Sequence, residues 1–278
     1  MTRRLDVELV SRGLARSRRQ AHGLVTGGAV LVDGSLQTKP ATPVDDTTRL
    51  ELNREPDRWV GRAALKLLRA LELWGPGGTD LDDPSGAERI APQGRRCLDV
   101  GASTGGFTQV LLEHGARSVT ALDVGHGQLV PELVADPRVT DLPGTNIRDV
   151  RPGDLGDPFD LVVADLSFIS LMLTLRPMRQ LTADDGDLVV LVKPQFEVGR
   201  DRLGRGGIVT SPHEHRRVLL DVHHHASSLD LTVLGAAPSP IRGSEGNREF
   251  LLWLTPRADP TGLPPDDMLD RMHLEADT

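Results

Sequence analysis

Apolar residues fall into two regimes along the chain. Leu5 and Leu9 recur at helical spacing over residues 4–12 and Gly13 follows, which predicts a short helix with a glycine stop. Ser17-Arg18-Arg19-Gln20 fits a capping box and Gly27-Gly28 closes the segment, so a second helix is expected between them. The run Ala29-Val30-Leu31-Val32, the turn pair Asp33-Gly34 and the residues from Ser35 predict a hairpin. Residues 54–60 read as a linker. Beyond it, Ala64, Leu67, Leu68 and Leu71 stand at i, i+3, i+4 and i+7 and predict a helix over 60–74, with Lys66 off its apolar stripe. Residues 75–94, rich in Gly, Pro and Asp, read as a surface loop.

From Arg96 the pattern changes to short apolar runs separated by helix-like segments, which argues for a parallel sheet covered by helices. Seven runs qualify as strands: Cys97–Val100, Val119–Asp123, Val139–Leu142, Leu161–Ala164, Leu188–Val192, Leu231–Ala236 and Phe250–Leu254. The expected organisation is a small α+β domain over 1–53, a linker over 54–60, a seven-stranded Rossmann-like α/β domain over 61–257 and a tail over 258–278. A length of 278 residues suits two units, since single domains run to roughly 100–200.

Composition narrows the class. With 38% hydrophobic and 26% charged residues the chain reads as an ordinary globular protein. The lone Cys97 excludes an internal disulfide framework, and no apolar run approaches the length of a membrane span, so a cytoplasmic location is expected. The net charge of −8 argues against a nucleic-acid partner until its distribution is read: six Arg stand against two acids, Asp6 and Glu8, in the first 22 residues. That basic patch surrounds one helix start. The segment SRRQAHGLVTGGAVLVDG, with its cap, small residues, hairpin and turn, resembles the S-four RNA-binding domain. The resemblance implies RNA binding through Arg4, Arg16, Ser17, Arg18, Arg19, Gln20 and His22.

The first chemical motif is LDVGASTGGFT, a strand running into a glycine turn and a helix. Such turns let a ligand approach backbone at the carboxyl end of a sheet. The spacing Gly101, Gly105, Gly106 departs from the dinucleotide pattern, and Asp123 ends the next strand where an acid can bind a ribose diol. S-adenosylmethionine shares that ribose and lacks a pyrophosphate, so it suits the spacing better than NAD.

The second motif is LVKPQF. Lys193 closes the apolar run 188–192, where its charge needs partners. Strand 161–164 ends in Asp165-Leu166-Ser167-Phe168, and parallel strands place both ends at the rim of the glycine turn. Adding Lys66 and Glu249 assembles two lysines and two carboxylates. This set resembles ribose 2′-O-methyltransferases of the FtsJ type, and implies Lys193 as general base, Asp165 as its orienter, and Lys66 and Glu249 as partners of the attacking hydroxyl. The motifs LDVGASTGGFT, DLSFIS and LVKPQFE together resemble the TlyA, or hemolysin A, family of rRNA methyltransferases over residues 4–255. The resemblance implies methylation of cytidines in 16S rRNA, 23S rRNA or both, ribosomal subunits as partners, and a cofactor set of Asp99, Gly101, Ser103, Thr104, Gly105, Gly106, Phe107, Asp123, Asn146 and Asp165. Before the first lysine this chain has Gly61-Arg62-Ala63-Ala64, where the family usually has Ser-Arg-Gly-Gly.

Other readings make different demands. A binding-only ribosome factor would not need the lysine–carboxylate set, a cytolysin needs a membrane-active segment, and an oxidoreductase would bind NAD. His223-His224-His225 point in different directions on a helix, so no metal site is expected. Cys97 falls inside an expected buried strand, which favours packing over reactivity.

Overall fold

The computed structural model describes residues 2–15, 17–53, 58–80, 90–199, 202–258 and 261–274. The chain divides into two compact units, 1–58 and 59–278.

In the first unit, β1 (Arg3–Arg4) leads into α1 (Leu5–Ser11), and α2 (Arg18–Thr26) is capped by Ser17, whose hydroxyl accepts from the Gln20 amide. The hairpin follows as β2 (Val30–Val32) and β3 (Ser35–Gln37), joined at Asp33 and Gly34 with φ of 49° and 77°. Positive φ at both turn residues is the type I′ geometry that a two-residue hairpin requires. Three strands were not anticipated, β1 among them. β4 (Pro43–Val44) pairs with β1, and β5 (Leu50–Leu52) pairs with β2. Leu5, Leu9, Leu24, Val25 and Val30 form the core of this unit.

The second unit opens with α3 (Ala64–Trp74), four residues later than the expected start at Val60. Then come β6 (Arg96–Val100), α4 (Gly106–Glu113), β7 (Ser118–Asp123), α5 (Pro131–Val134), β8 (Val139–Pro143), β9 (Phe159–Ala164), α6 (Leu171–Leu181), β10 (Thr182–Val192), α7 (Pro194–Glu197), α8 (Pro212–Ser227), β11 (Thr232–Pro238), β12 (Phe250–Thr255) and α9 (Pro265–Arg271). All seven expected strands form one sheet, in the order β11-β12-β10-β9-β6-β7-β8.

The sheet is mixed, which corrects the expectation of a parallel one. β8, β7, β6, β9 and β10 run parallel, whereas β12 lies antiparallel between β10 and β11. The loop 239–249 returns the chain without a crossover helix, and a return of that kind reverses the strand. The C-terminal segment expected as a tail carries α9, whose Met268 and Leu269 are buried with Met272 on the main core. Arg248 holds its end by donating to the carbonyls of Met272, His273 and Leu274. Residues 54–57 of the expected linker and 81–89 of the expected loop lie outside the described residues.

Candidate active site

Four strand termini meet at one rim. β6, β7, β9 and β10 are parallel, so Gly101, Asp123, Asp165 and Lys193 all lie at or just beyond carboxyl ends. Glu249 arrives from the opposite direction. Val192 pairs with Phe250 in antiparallel register, so Glu249 at the start of β12 reaches the same rim as Lys193 at the end of β10.

Lys66 comes from α3, and glycines set its approach. A Cβ on Gly106 would lie 3.0 Å from the Ala64 amide nitrogen, and one on Gly61 would lie 2.8 Å from Thr104 Oγ1. Both approaches are close, and the start of α3 packs directly on the glycine turn. With Ala63 and Ala64 at the start of α3, Lys66 still reaches Asp165 and Glu249.

The four side chains form a continuous ion-pair cluster. Lys66 Nζ lies 3.0 Å from Asp165 Oδ2 and 2.6 Å from Glu249 Oε2, while Lys193 Nζ lies 2.7 Å from Asp165 Oδ1. Lys193 also donates to Ser167 Oγ at 2.9 Å. Lys66, Lys193 and Glu249 are 6%, 6% and 3% exposed, so these charges have left bulk water and depend on one another. Burial opposes ionisation of Asp165, but the ammonium groups of Lys193 and Lys66 outweigh it and hold the carboxyl below its ordinary value. Burial likewise works against charge on Lys66, and Asp165 and Glu249 more than offset it, raising its pKa.

The glycine turn is built for close approach. Gly101 and Gly105 have φ of 84° and 97°, and a Cβ on Gly101 would sit 3.0 Å from the Asp165 carbonyl oxygen. Asp123 accepts from the amides of Ser103 and Gly125 and from the side chain of Gln128, which ties the turn to β7. Asp99 is fully buried, with Oδ2 accepting from Thr108 at 2.7 Å and Oδ1 without a hydrogen-bond partner among the described residues. The Phe107 side chain belongs to the apolar core, so only its backbone is placed toward the turn. Asn146 follows a segment bonded to the end of β7 through Thr145, and its side chain accepts from the Arg148 amide.

Two residues at the rim carried no expectation. Phe168 is 90% exposed with φ of 63°, and its ring meets Phe196 at 5.2 Å between centroids. Val124, next to Asp123, is 67% exposed. Apolar side chains displayed just beyond strand ends are a signal available in sequence.

In the first unit, Arg4 and Arg18 converge on one carboxylate. Asp6 accepts from Arg4 at 2.9 and 3.0 Å and from Arg18 at 3.1 Å, and these bonds, against the cost of burial, bring its carboxyl down to about 2. His22 is exposed on α2. Arg16 and the side chain of Arg19 lie outside the described residues. No group of three or more His, Cys, Asp or Glu placed to hold a metal occurs among the described residues, and none of their helices is long and apolar enough to cross a membrane.

A Rossmann-like sheet whose rim joins a glycine turn to a buried lysine–carboxylate cluster is the architecture of a class of methyltransferases. Residues 59–255 match the FtsJ-like methyltransferase family and residues 3–50 match the S4 domain. The chain is 48% identical to the Mycobacterium tuberculosis protein named 16S/23S rRNA (cytidine-2′-O)-methyltransferase TlyA, over 92% of this chain and 91% of that one. It is 34% identical to Hemolysin A of Brachyspira hyodysenteriae, over 89% and 98% of the two chains. A solved structure from Streptococcus thermophilus that carries a hemolysin name superposes with a TM-score of 0.72 at 37% identity, over 97% of this chain and 94% of that one. The chain belongs to the FtsJ-like methyltransferases, in their TlyA family.

Proposed function

We propose that this protein transfers a methyl group from S-adenosylmethionine to the 2′-hydroxyl of cytidines in 16S rRNA, 23S rRNA or both, in the cytoplasm, with the N-terminal unit docking the RNA. The observation that carries the reading is the Lys66–Asp165–Lys193–Glu249 cluster beside the glycine turn. A binding-only factor has no use for four mutually dependent buried charges.

The residues fit the cofactor. The glycines of the turn present bare backbone, Asp99 Oδ1 is a buried acceptor without a partner among the described residues, and exposed Val124 beside Asp123 offers an apolar face next to a ribose-binding acid. Asp99, Gly101, Ser103, Thr104, Gly105, Gly106 and Asp123 would hold it, with Phe107 contributing its backbone and Asn146 flanking the ribose end. When bound, it supplies an electrophilic methyl on a sulfonium.

The hydroxyl must lose its proton as its oxygen bonds to the methyl carbon and the carbon–sulfur bond breaks. Lys193 receives that proton. The cluster balances two ammonium groups against two carboxylates, and a further cation at the rim favours loss of a proton from one lysine. Lys66 is held between two carboxylates, whereas Lys193 meets one carboxylate and the Ser167 hydroxyl, so Lys193 is assigned as the base. Asp165 then orients the free amine, and Lys66 with Glu249 holds the hydroxyl in line. Phe168 offers a stacking face for a base splayed out of its strand, the usual way proteins read single-stranded RNA. Arg4 and Arg18 meet phosphate as one patch.

The test is incubation with labelled donor and separated ribosomal subunits or naked rRNA, followed by mapping of ribose methylation. Lys193→Ala is expected to lower transfer by about 10²–10⁴-fold with RNA binding retained, the size of a general-base contribution. Methylation confined to bases, or an active Lys193→Ala enzyme, overturns the reading.

A further inference from the structure

Two arms carry the chemistry, 165–170 beyond β9 and 193–197 beyond β10. Sheet pairing between these strands ends at Val190↔Ala164, so the ladder does not reach either arm. Beyond it the arms meet through Lys193 with Asp165 and Ser167, through Phe196 with Phe168, and once more at their far ends. There Glu197 Oε2 accepts from Ser170 Oγ at 2.5 Å, and its Oε1 accepts from the Leu171 amide at 2.8 Å.

This last contact has no part in proton transfer, yet it uses a half-buried carboxylate whose two bonds go to a neutral hydroxyl and a peptide N–H. Burial pushes the Glu197 carboxyl above its ordinary value, while the Ser170 and Leu171 bonds act the other way. Ser170 is also the N-cap of α6, accepting from the Met172 amide at 3.0 Å. A carboxylate has the two acceptors needed to hold a hydroxyl and an amide together, and the start of an eleven-residue helix favours an anion.

We propose that Glu197 is a positioning residue, which closes the two arms into one frame and thereby fixes the Lys193–Asp165 pair at the distance that proton removal requires. The inference rests on the reading of Lys193 as the base. A role confined to capping α6 has a different signature, because lost capping lowers the melting temperature and leaves turnover of the folded enzyme unchanged.

The experiment measures kcat, KM for rRNA, equilibrium binding of S-adenosylmethionine and melting temperature for full-length wild type, Glu197→Ala, Glu197→Gln and Glu197→Asp, assayed well below melting. Glu197→Ala is expected to lower kcat by about 10–100-fold, the scale for a misplaced catalytic group, with donor affinity held within about twofold. Glu197→Gln keeps an oxygen for the Leu171 amide and an NH₂ that can donate to Ser170 Oγ, so it restores most of kcat. Glu197→Asp keeps the charge and loses the reach, so it falls below Gln. Should Ala fail to fold, the order of Gln over Asp carries the test. An Ala variant with wild-type kcat, a kcat loss matched by lost donor binding, or Asp outperforming Gln overturns the inference. A wild-type enzyme that methylates no ribose overturns the reading beneath it instead.

Discussion

Replacing Asp99 by Asn measures the electrostatic cost built into the glycine turn. Its carboxyl is pushed up to about 7 from an ordinary 3.8, first by complete burial, against two bonds from Thr108 and with added repulsion from Asp165 and Asp123. That shift of about three units corresponds to about 4 kcal/mol, at roughly 1.4 kcal/mol per unit. Between these two values the unfolded chain has released this proton and the folded chain retains it, so folding stability falls as pH rises. The contribution is fully present below about pH 4 and is lost by the time pH has passed about 7. An asparagine accepts the Thr108 hydroxyl without titrating. The chain's three tryptophans, Trp59, Trp74 and Trp253, all lie in the second unit, so fluorescence during urea unfolding reports that unit alone. The Asp99→Asn variant should gain on wild type by up to about 4 kcal/mol between about pH 4.5 and about pH 7.5. A stability difference independent of pH refutes the reasoning.

Three further outcomes are expected. Arg18→Glu should weaken RNA affinity and flatten its dependence on salt, since one phosphate contact is lost, and an unchanged salt slope counts against docking by this unit. Gly101→Ala puts a Cβ 3.0 Å from the Asp165 carbonyl oxygen at a φ of +84°, so S-adenosylmethionine binding by calorimetry should weaken, and wild-type affinity would show that the turn tolerates the strain. Cys97 is buried, and its thiol is pushed up to about 12 chiefly by that burial, so the folded protein should resist alkylation at about pH 8 as read by mass spectrometry.

Local signals were legible wherever they were strong and repeated. The capped start at Ser17, the Asp33-Gly34 turn and all seven strands of the large sheet follow from spacing and residue type. The two-residue β1 and β4 escaped notice because a pairing so short leaves no periodic trace. α9 was missed because a seven-residue helix amid Pro and Asp reads as tail until the core it covers is known. Lys66 sits off the apolar stripe of α3 and yet is buried, because its neighbours there are carboxylates and not apolar side chains.

By itself the sequence singled out the residues that the structure brings together: a glycine turn with acids on the two flanking strands, and a lysine closing an apolar run whose charge demanded partners. Tertiary structure alone decided how those partners assemble. Glu249 precedes its strand whereas Lys193 and Asp165 follow theirs, so a wholly parallel sheet would set them on opposite rims. Reversal of β12 brings Glu249 back beside Lys193, and the close approach of Gly61 and Gly106 swings Lys66 in from a helix outside the sheet. Strand direction is set by the path of the connecting chain and by the packing that the return must satisfy, and neither is written in any local stretch of residues.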